Sequence, residues 1–72
     1  MAYCRFGRDS DVYVFETEGG IECCRCRLAG GTFEAAGAAE MIEHLLRHRA
    51  AGHAVPDEAL GELREDLEFG GE

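Results

Sequence analysis

Tryptophan and lysine are both missing from these 72 residues, and proline occurs once. Without Trp, and with two Tyr and four Phe, few large side chains are available to fill a core. A chain of this length buries only about 60% of the surface that its unfolded form exposes, so a single small domain with some form of staple is expected. The missing lysines leave seven arginines against fifteen acids, for a net charge of −8. Residues 1–55 hold six Arg and eight acids (6 − 8 = −2), and residues 56–72 hold Arg64 and seven acids (1 − 7 = −6). A non-specific nucleic-acid binder needs surplus cations to neutralise phosphate, so this balance argues against one. "MAYCRFGRDSD" has no apolar stretch of a secretory leader, and no run approaches the ~18 apolar residues of a membrane span. Both absences point to the cytoplasm and away from the membrane. In the cytoplasm clustered cysteines are more often metal ligands than disulfides.

What is present is organised. Hydrophobic content of 46% is too high for a disordered chain. "SDVYVFETE" (10–18) alternates Val12 and Val14 against Tyr13 and Phe15, as a strand does. "GG" (19–20) marks a turn and "IECC" (21–24) a return strand, which together predict a β-hairpin. "AGG" (29–31) reads as a loop. From Gly37 the period becomes helical: Ala38, Met41, Ile42, Leu45, Leu46 and Arg49 share one face, and Gly52 suits the stop. Pro56, with Asp57 and Glu58 behind it, starts a second helix at the positive end of its dipole. Val55, Ala59, Leu60, Leu63 and Leu67 give that helix a modest apolar stripe, Gly61 weakens it, and the closing "GGE" should fray. The expected fold class is small α+β: a zinc-stapled hairpin plus helix, ββα-like, over 1–55 with an N-terminal arm, then an acidic helix and tail over 56–72.

Three of the four cysteines fall within four positions, in "CCRC" (23–26), and all three histidines lie in "HLLRHRAAGH" (44–53). His44 and His48 stand one helical turn apart and can face one ion. Cys23 and Cys26 have the spacing at which a tight turn aims two thiolates inward. Together they read C-x2-C-x17-H-x3-H, four N/S ligands of the kind a tetrahedral structural zinc takes. Strand alternation puts Cys23 on the core side with Ile21 and Cys24 opposite; Cys24 with Cys26 is the alternate pair. His53, past the helix end, reads as a surface or capping residue. The competing interpretation makes the cysteines small buried hydrophobes and the histidines a polar helix face.

Over residues 21–48 the chain resembles a C2H2 zinc finger. Ile21 stands two before the first Cys, Phe33 takes the place of the large apolar residue after the second Cys, and Met41 precedes the first His by three. The spacer of seventeen exceeds the usual ~12, with "LAGGT" available to absorb the excess. "YCRFGRDSDVYVF", "CCRC" and "HLLRHRAAGHAVP" are also similar to small uncharacterised proteins of actinobacterial bacteriophages and their hosts. That resemblance implies the host cytoplasm and a host factor as partner, and no assigned activity.

Function follows from the same residues. Four protein ligands close a metal, leaving no position for a substrate or water, so no enzyme is expected. In a finger register the base-reading positions fall on Gly37, Glu40 and Glu43, which repel phosphate. Arg25, Arg27, Arg47 and Arg49, with Arg5 and Arg8, are the counterweight for a nucleic-acid regulator. The favoured expectation is a zinc-bound module that presents a surface to a protein partner.

Overall fold

A computed structural model describes residues 2–26 and 28–70. The expected fraying of the last residues, and the place of Arg27, lie outside them. Strands β1 (Ala2–Cys4), β2 (Tyr13–Thr17), β3 (Gly20–Cys26) and β4 (Gly31–Ala35) are followed by α1 (Ala38–Ala50), α2 (Asp57–Glu65) and one π-helical turn (Asp66–Gly70). The strands pair antiparallel in the order β1-β2-β3-β4. The fold is the expected small α+β class.

The hairpin is β2 with β3, pairing Val14 with Cys23 and Glu16 with Ile21. Val12, Val14, Ile21 and Cys23 are buried, whereas Tyr13, Phe15 and Cys24 are only half-buried, as period-2 alternation requires. Two strands extend the hairpin. Part of the stretch expected to be loop, from Gly31 onward, pairs with β3 as β4, so five of the seventeen spacer residues form a strand rather than slack. Part of the expected N-terminal arm pairs with β2 as β1.

Gly20 makes the close approach of β3 and β4 possible. Its φ is +153°, and a Cβ there would stand 2.1 Å from the carbonyl oxygen of Ala35.

Helix α1 packs Met41, His44, Leu45 and His48 inward, an i, i+3, i+4, i+7 stripe. Of the other expected apolar positions, Ile42 is half-buried and Leu46 is exposed. Gly37 supplies no side-chain cap; the Glu40 carboxylate instead accepts the Ala36 N–H at 2.9 Å. At the other end Gly52 turns the chain with φ +92°, the C′ role its position predicts.

Helix α2 turns Ala59, Leu60 and Leu63 inward and leaves Leu67 exposed. It packs on α1 and β1. Polar bonds fix its approach: Arg49 donates to the Val55 carbonyl and to Asp57, each at 2.6 Å. Asp11 and Ala54 exchange two hydrogen bonds, each of 2.8 Å, and the Tyr3 hydroxyl donates to Asp66. No helix among the described residues is long and apolar enough to cross a membrane.

Gly20→Ala should destabilise the protein by more than about 1 kcal/mol, because the added methyl meets backbone and the φ is unfavourable for any other residue. Gly19→Ala, whose Cβ has only an ordinary contact with Glu34, should stay within about 0.5 kcal/mol. Denaturant unfolding of the two variants checks the contrast.

Candidate metal centre

Residues three apart on a regular strand point to opposite faces, so Cys23 and Cys26 need a break in β3 to share one. The pairing register with β4 shifts between them, and Arg25 there takes φ +51°. This bulge turns Cys26 back to the inner face beside Cys23; both thiols are buried. Cys24 stays on the outer face opposite Tyr13.

Helix α1 brings His44 and His48 onto the same spot. Cys26 Sγ lies 3.1 Å from His44 Nε2 and 3.3 Å from His48 Nε2. His48 Nε2 lies 3.7 Å from Cys23 Sγ and 3.2 Å from His44 Nε2. All four ligand atoms fall within 4.8 Å of one another, and all four residues are buried. Bonds of about 2.3 Å to sulfur and about 2.0–2.1 Å to nitrogen, at tetrahedral angles, separate S from N by about 3.6 Å and N from N by about 3.3 Å. The four S–N and N–N separations observed, 3.1–3.7 Å, are of that order. Cys23, Cys26, His44 and His48 therefore have the geometry to hold one metal ion in a finger-like Cys2His2 arrangement. Neither Cys24 nor Cys4 is in the cluster; the Cys4 thiol is half-buried, 3.7 Å from the Val12 carbonyl.

Three neighbours hold the ligands from outside. Phe33 on β4 stacks flat on the His44 ring, centroids 3.8 Å apart and planes 4° from parallel. The Ala29 N–H donates to Cys26 Sγ at 3.4 Å. His53 places its Nδ1 2.8 Å from Nδ1 of His48, on the side of the ring away from the cluster. The position of His53, five after His48 and past the helix end, predicts a surface or capping residue rather than a ligand. The available signal was Gly52, whose positive φ folds the chain back so that the His53 N–H meets the His48 carbonyl at 2.9 Å.

Burial pushes the Cys23 thiol up to about 12, with the neighbouring Cys26 adding to the rise. Burial likewise lowers His44, helped by the Arg47 guanidinium. Without a metal the pocket therefore disfavours the thiolate of Cys23 and the imidazolium of His44; a divalent cation reverses the first of these. Arg49 is engaged with Asp57, and Arg5 and Arg25 line the outer-face hollow beside Cys24.

No protein-family model, curated protein or solved structure matches this chain. The class that fold and site define is a small α+β protein with a buried Cys2His2 cluster. The wider likeness to phage proteins rests on the quoted sequence stretches alone.

Under native, reducing conditions alkylation should label Cys24 well before Cys23, since Cys24 is half-buried on the outer face and Cys23 is fully buried. Peptide mass spectrometry after a short pulse reads the order; equal or inverted labelling would contradict the assignment of faces.

Proposed function

We propose that the chain is a small non-enzymatic module of the cytoplasm that holds one structural zinc ion and presents a surface to a protein partner. The observation that carries the zinc half is the buried S2N2 cluster, whose four ligand atoms all lie within 4.8 Å of one another. Zinc favours that donor set and geometry, and four protein ligands leave no open position for catalysis.

The partner half rests on the outer sheet face. Phe6 and Tyr13 meet edge-to-face with centroids 5.6 Å apart, as do Tyr13 and Phe15 at 5.7 Å. With Ala2, Arg5, Cys24 and Arg25 they line an open hollow of about 580 Å³, and Phe6 is an exposed large hydrophobic. Aromatic rings beside arginines are the composition of protein-interface anchors, and fit an apolar segment that carries a carboxylate. If the chain is phage-encoded, the partner is a host protein. Aromatic rings with arginine also suit stacked bases, which keeps a nucleic-acid regulator as the second reading. The charge of −8 opposes it.

Metal analysis of untagged, reduced protein should return close to one zinc per chain; a well-folded, metal-free protein would refute the reading. Structural zinc contributes about 10–16 kcal/mol of apparent binding energy in small fingers. Chelation should therefore remove most of the helical circular-dichroism signal, as should Cys23→Ser, Cys26→Ser or His48→Ala, with Cys24→Ser mild. Zinc must also displace the proton of Cys23, so apparent affinity should fall at least about tenfold for each pH unit below 8. A flat profile between pH 8 and 7 in chelator competition would exclude that thiol as a ligand.

Titration of labelled single-stranded and duplex oligonucleotides at about 50 and 200 mM salt separates the two partner readings, since phosphate-driven binding weakens steeply over that range. Negligible binding supports the protein module. Tight, salt-sensitive binding lost in Arg5→Ala/Arg25→Ala overturns it.

A further inference from the structure

The two imidazoles of the cluster are held by different means. His44 is clamped by the face of Phe33, whereas the His48 ring is met at its far nitrogen by another imidazole. Building on the zinc reading, we propose that His53 is a positioning residue of the metal centre. Its Nδ1 accepts the Nδ1–H of His48 and so presents the Nε2 lone pair of His48 to the ion.

Proton counting gives the direction. Two Nδ1 atoms 2.8 Å apart have room for one proton between them, so one ring donates and the other accepts. His48 Nε2 is the atom that lies 3.2–3.7 Å from the other three ligand atoms. A neutral imidazole that gives its Nε2 lone pair to a metal carries its proton on Nδ1. His48 is therefore the donor, His53 Nδ1 the acceptor, and the proton of His53 sits on its own Nε2. Partners of this kind fix the ring and raise the basicity of the ligating nitrogen.

The backbone supports the same role. The left-handed turn at Gly52 lets the His53 N–H bond the carbonyl of His48 itself, at 2.9 Å. Residue 53 is thus tied to residue 48 at both main chain and ring. His53 is half-buried and lies outside the four-residue cluster, so it adds no fifth ligand.

The test uses the full zinc-loaded chain, with His53→Ala and His53→Asn, whose Oδ1 can accept near the place of Nδ1. Competition with a chromophoric chelator should show His53→Ala weakening zinc by about 10–100-fold and His53→Asn recovering most of that loss. Cobalt-substituted His53→Ala should keep a tetrahedral S2N2 spectrum, since all four ligands remain. Long-range proton–nitrogen NMR of the wild type should find His48 protonated at Nδ1 and His53 at Nε2. Wild-type affinity in His53→Ala, or an equal loss in both variants, would overturn the proposal, the second because it makes packing rather than acceptance the cause. His53 protonated at Nδ1 would overturn it as well, and this readout stands even if neither variant folds. If the wild type takes up no metal, the zinc reading fails and the proposal with it. A loaded wild type with an unaffected His53→Ala defeats the proposal alone.

Discussion

Two thiols and two imidazoles meet where the sheet's inner face and α1 come together, shielded from the water that would otherwise solvate them. Burial of polar groups is costly unless partners compensate, and here the ring nitrogens and sulfurs have mainly one another. A cation at their centre would satisfy all four at once, which makes the cluster the keystone between sheet and helix. The apolar core around it is small: Val12, Val14, Ile21, Met41, Leu45, Leu60 and Leu63 are its main buried members. For a chain of this size such a core alone gives little margin.

The geometry of that meeting depends on one local distortion. Without the bulge at Arg25, Cys26 would face outward with Cys24 and leave a single thiol inside. Gly20 serves the same end from the other strand junction: it lets β4 lie close against β3, and β4 carries Phe33 onto the His44 ring. The support reaches from β4 on one side and from the turn after α1 on the other, so the ligands depend on most of the chain.

The sheet is covered unequally. Both helices lie with the inner-face residues, while Phe6, Tyr13 and Phe15 form an aromatic row on the outer face. The acidic second helix is joined to the body through Asp57, Asp66 and the exchange between Asp11 and Ala54. Its carboxylates thus serve partly as internal partners for Arg49 and Tyr3.

Local pattern alone was enough for several features. Alternation in "DVYVF" and "IECC" put Val14, Ile21 and Cys23 inside and Cys24 outside, because side-chain direction on a strand depends only on parity. Helical period and spacing put Met41, His44, Leu45 and His48 on one face for the same kind of reason. Tertiary structure decided the rest. Gly31–Ala35 is glycine-led and half exposed, with no strong period, and becomes a strand only because β3 offers it a free edge. Ala2–Cys4 does so against β2. The C-x2-C spacing predicts that both thiols turn inward but not by what means; the positive φ of Arg25 and the register shift against β4 supply it. His53 acquires its contact with His48 through a glycine turn, five residues on, where no ligand spacing points. Periodicity reports which face a residue takes within its own element; which elements meet, and what stands behind each ligand, is set by packing between segments distant in the chain.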